Sequence, residues 1–134
     1  MENAITTVPE SKLYTTIDTS DIKKLYNIDN GTCDFKLVEC KGESLRIVDV
    51  LIKDFYKTKD DKGETLETPE RKMITILIDD QGKSYVTASK VFTIQMLRFL
   101  DRFGYDIVKN GLEIKIIEKE VRNSKNKALG FELI

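Results

Sequence analysis

The chain has 134 residues, of which 40% are hydrophobic and 34% are charged, with 22 basic side chains against 23 acidic ones. This length fits one domain, the composition is that of a globular protein, and apolar stretches such as residues 74–78 are far shorter than the roughly 20 residues of a membrane helix. The formal net charge of -1 excludes a globally basic binder of duplex DNA, so a nucleic-acid site would have to be a local patch.

Residues 1–41 are predicted to form an N-terminal arm with a short helix. The beginning of this segment is polar and rich in threonine, which is typical of a loosely attached terminus. Ser20-Asp21 then supplies N-cap side chains, and Ile22 and Leu25 follow at a helical spacing. Asn30-Gly31 is expected to end this helix.

Residues 42–134 are predicted to form the main domain, which begins with three strands. Segments rich in β-branched and aromatic residues predict these strands at 45–56, 71–79 and 83–88. The first strand is long, which indicates a bend or bulge near Asp49. The turn before the third strand contains Gly82, at a position that calls for a positive φ.

A helix and two further strands follow. Ser89 is a suitable N-cap, Gly104 is placed to end the helix, and between them the apolar side chains form one stripe. Strands are predicted at 112–121 and 127–134. This order predicts a mainly β protein with a five-stranded OB-fold-like Greek-key barrel and one helix between strands three and four. Other β+α architectures share the same order.

An OB-fold binds its ligand on the second and third strands, between the loops that follow the first and fourth strands. The first of these loops is predicted at residues 57–70, where acidic side chains nearly cancel the lysines. The second is predicted at residues 122–126, inside the cationic stretch 119–127. The second loop is therefore the better candidate for phosphate contact.

Side chains alternate between the two faces of a strand, which predicts the outward residues. On the third strand, Lys83 and Tyr85 are expected to point outward as a cation beside a ring. The smaller side chains of that strand are expected to face the interior: Ser84, Val86 and Ala88. On the first strand, Lys53 and Lys57 share the side of Phe55, and Tyr56 points to the opposite side.

Proteins that bind single strands combine cations along the backbone path with aromatic rings that stack on bases. Packing in the core is the alternative role for the aromatic residues, and a solvated charge mixture is the alternative for the lysines of the first loop. The candidate residues for single-stranded DNA binding are Lys53, Tyr56, Lys57, Lys59, Lys72, Lys83, Tyr85, Lys119, Arg122, Lys125, Lys127 and Phe131.

From about Gly42 onward the chain resembles the single-stranded DNA-binding proteins of tailed phages that infect Gram-positive bacteria. The segments that carry this resemblance are GESLRIVDVLIKD, RKMITILIDDQGKSYVTASKVF, LRFLDRFG and KALGFELI. The resemblance implies an OB-fold, sequence-tolerant binding to single-stranded DNA, and a role in coating strands during phage DNA replication or recombination. Contact with phage replication proteins and self-association are both left open.

Two other classes of function stay open at this point. An OB-like adaptor that binds protein, or inhibits a host factor, would show an exposed apolar patch instead of a basic and aromatic face. A metal-dependent nuclease would need a carboxylate cluster. Histidine is absent from the chain, which removes the commonest general base. The aspartates available for such a cluster are Asp49, Asp54, Asp79 and Asp80.

Cysteine usage and the N-terminus indicate the compartment. Cys33 and Cys40 match no zinc-binding spacing and are expected to be reduced thiols. The N-terminus shows no basic region followed by an apolar one, so no secretory signal is expected. We therefore expect a cytoplasmic protein, in the bacterial host if it is phage-encoded, with no membrane partner, no metal, no cofactor and no catalytic residue.

Overall fold

The computed structural model describes residues 11–120 and 127–134, and within them the chain is mainly β. One mixed sheet has the order β2-β5-β4-β3-β6-β7, with β1 paired to β3 off this path. All pairs are antiparallel except β2 with β5. The strands are β1 (Lys12–Thr15), β2 (Phe35–Lys36), β3 (Ser44–Lys59), β4 (Thr65–Asp79), β5 (Ser84–Thr87), β6 (Leu112–Glu120) and β7 (Lys127–Leu133).

In the described part of the chain three α-helices accompany the sheet: α1 (Ile22–Asn30), α2 (Lys90–Phe103) and α3 (Asp106–Lys109), and a 3-10 helix spans Leu37–Cys40. The predicted caps are confirmed. The Asp21 side chain accepts a hydrogen bond from the amide of Lys24, the Ser89 side chain accepts one from the amide of Phe92, and Gly104 has a φ of 87°. None of these helices is long and apolar enough to cross a membrane.

The predicted irregularity near Asp49 is confirmed. Ile47 pairs with Asp79 and Asp49 pairs with Ile78, so Val48 is an extra residue in β3 at a β-bulge. From Asp49 to Lys57 the register with β4 is continuous. The bulge therefore fixes which side chains of β3 face inward from there on.

The inner face of the sheet packs against α2 and forms the main core. Phe92 and Met96 of α2 are completely buried there, beside Val50, Ile52 and Leu77 of the sheet. The hydroxyls of Thr75 and Thr93 hydrogen-bond at 2.6 Å within this core, so the polar atoms where α2 meets β4 have partners.

A second apolar cluster lies on the outer face of β3 and β4. Leu51, Ile76 and Ile78 are buried there together with Ile17, and Leu25 of α1 packs against them. The N-terminal residues that the sequence marks as an arm thus contribute β1 to the sheet and α1 to the covering of its outer face. In the part of β3 and β4 that α1 covers, both faces of the sheet are consequently apolar.

The strand count and the extent of the first loop differ from the sequence prediction. The described residues form seven strands instead of five, because short β1 and β2 pair with distant partners. The predicted loop 57–70 is mostly strand: Lys57 pairs with Glu70 and Lys59 with Thr65, so only a tight turn remains. Opposite charges directly across a strand pair favour this continuation.

The two ends of the sheet order, β2 and β7, do not pair with each other within the described residues. At the edge of β7, the Gln95 side chain makes hydrogen bonds that a neighbouring strand would otherwise make. The Gln95 Nε2 group donates to the Phe131 carbonyl at 2.7 Å, and the Phe131 amide donates to Gln95 Oε1 at 3.2 Å. These two bonds satisfy edge groups that would otherwise lack partners.

Candidate nucleic-acid interface

The structure contradicts the expected orientation of the third main strand. Tyr85 is only 8% exposed and lies in the main core, whereas Ser84 and Val86 are half-exposed. The Tyr85 hydroxyl donates to Asp79 Oδ2 at 2.7 Å, and the ring stacks on Phe35 with centroids 5.2 Å apart. Burial, followed by the hydrogen bond to Asp79, raises the pKa of Tyr85. The prediction that Tyr85 offers an outward ring for base stacking is therefore wrong.

The other aromatic candidates also differ from stacking platforms. Phe131 is 4% exposed and packs against Phe92 at a centroid distance of 5.4 Å, so it belongs to the core, which was the alternative role weighed for it. Tyr56 is half-buried and pairs across the strands with Arg71. It lies on the face opposite to Phe55, as the alternation predicts.

Beyond their pairing with β1 and β5, strands β3 and β4 continue as a two-stranded ribbon. Phe55 pairs with Lys72 and Lys57 pairs with Glu70, and cross-strand partners share a face. Lys53 lies two residues before Phe55 and so shares that face too. We call these four residues, Lys53, Phe55, Lys57 and Lys72, the lysine face. It brings together three of the candidate residues around one half-exposed ring.

Each lysine of this face has a carboxylate partner. The Nζ–Oδ1 distance is 3.0 Å for Lys53 with Asp29 and 3.1 Å for Lys57 with Asp61. The Lys72 Nζ lies 2.7 Å from Glu70 Oε1, and the hydrogen bond from Lys72 lowers the pKa of Glu70. Exposed ion pairs contribute at most about 1 kcal/mol. A phosphate can therefore replace these carboxylates at little cost.

The lysine face continues the outer surface that α1 covers further up the sheet. Lys53 links the two regions, because its Nζ also donates to the Asp29 carbonyl at the end of α1 at 3.3 Å. A cavity of about 450 Å³ lies beside the bulge, and another of about 400 Å³ lies between β1 and Phe55. The open part of the outer face is thus the ribbon, with a concave border beside Leu13.

The remaining candidates are not gathered at this face. Lys59 is exposed at the end of β3, and Lys83 is exposed in the turn at the far end of β4. Lys119 and Lys127 lie at adjoining positions of the β6–β7 hairpin. Arg122 and Lys125 lie outside the described residues. The period-two alternation already placed Phe55 beside Lys53 and Lys57, yet the candidate set contained Tyr56 in its place.

A buried carboxylate fastens the N-terminal segment to the sheet. Asp49 is 4% exposed and receives hydrogen bonds from Thr16 at 2.9 Å, from Lys24 at 3.3 Å and from Lys109 at 2.8 Å. Desolvation raises its pKa, but the bonds from Lys109, Thr16 and Lys24 outweigh that effect and lower it. Asp49 therefore connects β3 with the segment after β1, with α1 and with α3.

The four aspartates considered for metal binding are held in separate ways. Asp54 accepts two hydrogen bonds from Arg71, at 2.9 and 2.7 Å, which lower the pKa of Asp54. Asp79 accepts from Tyr85 and from the amides of its own turn, and Asp80 lies 4.0 Å from Arg46. In residues 11–120 and 127–134, no three ligand-type side chains form a group that could hold a metal ion.

No protein-family model, curated protein or solved structure matches this chain. Arguments about function therefore start from the geometry of the sheet and from the lysine face.

Proposed function

We propose that this protein binds single-stranded DNA without strong sequence preference, and that the lysine face is part of the contact surface. The observation that carries the proposal is the convergence of Lys53, Lys57 and Lys72 around Phe55 on the outer face of β3 and β4, where β3 leaves its pairing with β1 and the two strands continue as a ribbon. Three cations spaced along a ribbon can follow successive phosphates, while the half-exposed ring offers a face to a base.

The connectivity of the sheet supports the OB-fold as the architecture behind this function. Strand β3 pairs with both β4 and β6, β5 adds to β4, β7 adds to β6, and α2 lies between β5 and β6 in the chain. This order is compatible with an OB-fold, which is itself a partly open Greek-key barrel. In that frame, β3 and β4 are the first two barrel strands, and their ribbon is the first ligand-flanking loop.

The resemblance of residues 42–134 to single-strand binders of tailed phages supports a biological role. In that role the protein coats and protects single strands during phage DNA replication or recombination in the host cytoplasm. A chain with nearly balanced charge can perform it, because screening over roughly 10 Å hides distant acidic groups from a local cationic patch.

The test is a fluorescence anisotropy titration with labelled oligo-dT of roughly thirty nucleotides and a duplex of equal length, at several salt concentrations. The key variant combines Lys53→Gln, Lys57→Gln and Lys72→Gln. We expect strand-selective binding that the triple variant weakens, with a salt slope smaller by about two, at ~0.7 per phosphate contact.

A matched control removes three exposed lysines elsewhere, with Lys23→Gln, Lys41→Gln and Lys115→Gln. It changes the net charge equally, so it separates local contact from general attraction. The proposal fails if wild-type protein does not bind oligo-dT at low salt. Equal loss in both triple variants would remove the lysine face from the contact surface.

The adaptor alternative has one observation in its favour. It predicts an exposed apolar patch, and Phe103 and Leu133 are 58% and 54% exposed beside each other on α2 and β7.

A further inference from the structure

The outer side of α2 and strand β7 together form a groove, which is independent of the lysine face. Two cavities of about 560 and 250 Å³ adjoin there and share Gln95 and Arg98 in their walls. None of the four residues of the lysine face lines either cavity. We call this combined surface the α2–β7 groove.

The larger cavity has an aromatic wall. Phe99 packs against Phe103 at a tilt of 43°, with centroids 5.0 Å apart, and meets Phe131 edge-on at 6.0 Å. Phe103 is 58% exposed and Leu133 is 54% exposed, so the opening of the cavity is apolar too. An apolar opening of this size is suited to a bulky side chain of a partner, because burying such a side chain supplies binding energy.

The rim of the groove is cationic. Arg98 and Arg102 lie one helical turn apart on α2, Lys119 lines the smaller cavity, and Asp101 is the carboxylate that shares the walls with them. Among the residues that the structure describes, no carboxylate lies within ion-pair distance of Arg98, Arg102 or Lys119. Five of the ten other basic side chains on the described strands have such a partner, including the three lysines of the lysine face.

Gly130 allows Lys119 and Gln95, which line the groove, to lie close to the backbone of β7. A Cβ atom at this position would lie 2.7 Å from Lys119 Cδ and 3.0 Å from Gln95 Oε1. The absence of a side chain lets Lys119 extend flat across β7 toward α2. Since Gln95 already bonds both edge groups of Phe131, these groups are not free to pair with an added strand, which favours recognition through side chains.

We infer that the α2–β7 groove docks a peptide segment of a partner protein that carries carboxylates beside a bulky apolar side chain. Charge complementarity favours the carboxylates, because Arg98, Arg102 and Lys119 place three cations along the groove. The aromatic wall selects the apolar side chain. A nucleic acid is the weaker fit, because the walls are mainly apolar and the most exposed ring of the groove, Phe103, lies at its opening and not along a row of cations.

The test is an NMR titration of the ¹⁵N-labelled full chain with short synthetic peptides at millimolar concentration. One peptide is rich in Glu and contains a single Phe, a second replaces that Phe by Ala, and a third replaces Glu by Lys. We expect shifts of α2 and β7 amides with the first peptide, and affinities weaker by about tenfold with the second and the third.

Variants locate the site. Arg98→Glu with Arg102→Glu, and separately Phe103→Ser, should each weaken the first peptide by about tenfold. Lys23→Glu with Lys115→Glu is the control, because it reverses two exposed cations outside the groove and should change little. Amide spectra of each variant report whether the fold is retained.

Several results would overturn the inference. Absence of shifts at millimolar peptide is one, and equal binding of the Lys-rich peptide is another. Oligo-dT that shifts the same amides more strongly would assign the groove to nucleic acid. A dimer in light scattering that becomes a monomer with Arg98→Glu and Arg102→Glu would assign it to a second copy of the chain.

Discussion

The two faces of strands β3 and β4 differ in how they are covered. On the inner face, Val50 and Leu77 are fully buried beneath α2, which lies between β5 and β6 in the chain. On the outer face, Leu51 is equally buried, but beneath α1, none of whose own residues is buried. The inner face thus belongs to a densely packed core, whereas the outer face depends on a lightly packed segment and opens into the lysine face.

The largest difference in stability between the two faces should come from removing one apolar side chain on each of them. Phe92→Ala should lower the free energy of unfolding by about 4 kcal/mol, because it leaves a cavity in the main core. Leu25→Ala, at a half-buried position of α1, should lower it by about 1 kcal/mol. Urea unfolding followed by circular dichroism measures both. Equal losses of unfolding free energy would show that the two layers contribute equally to stability.

Asp49→Asn tests the fastening of the outer layer. At neutral pH we expect a loss of about 2 kcal/mol, because the bonds from Lys24 and Lys109 lose their charged acceptor. The folded-state pKa of Asp49 is lowered, so its stabilising contribution is present above the unfolded pKa near ~3.9 and is lost as pH falls through the folded pKa. The difference between wild type and variant should therefore shrink below about pH 4. A difference that is constant with pH would contradict this account.

Tyr85→Phe tests the buried hydrogen bond between the Tyr85 hydroxyl and Asp79. It removes the hydroxyl bond to Asp79 and should cost about 1 kcal/mol in chemical denaturation. Affinity for oligo-dT should stay unchanged, because the ring faces the inner core. An unchanged free energy of unfolding would contradict the buried hydroxyl bond and the inward orientation of Tyr85.

The smallest stability effect is expected at the lysine face. Lys57→Gln breaks an exposed pair with Asp61, whose side chain is 98% exposed, so the unfolding free energy should change by less than about 0.5 kcal/mol. Oligo-dT binding should nevertheless weaken, and more so at low salt. A large loss of stability in the Lys57→Gln variant would show that the lysine face has a structural role instead.

Local signals predicted the elements whose determinants are close in sequence. Ser89 and Gly104 delimit α2, Gly82 has the positive φ its turn needs, and the length of β3 indicated the bulge. Strand β1 was missed, because Lys12–Thr15 forms a strand only through partners at Leu51–Asp54. Its own sequence carries no pattern that distinguishes it from an arm.

The prediction of which β5 side chains face inward was wrong for a physical reason. The alternation of apolar and polar side chains along a strand identifies the inner face only when the outer face is polar. Here the outer face is apolar as well, because α1 covers it. Val86 packs outward under this cover, while Tyr85 packs inward because Asp79 accepts its hydroxyl. On β3, where the ribbon leaves the cover of α1, the same alternation correctly grouped Lys53 and Lys57 with Phe55.

The light packing of α1 also sets the order in which the molecule opens. Amide hydrogens in α1 are protected by one turn of contacts at Leu25 and by the ion pairs of Lys24 and Asp29, so they should exchange through local fluctuations. Amides of Leu51 and Leu77 lie within the continuous β3–β4 ladder and should exchange only when the whole sheet unfolds. Protection against hydrogen exchange is therefore graded across the thickness of the molecule, from α1 through the sheet to the core beneath α2.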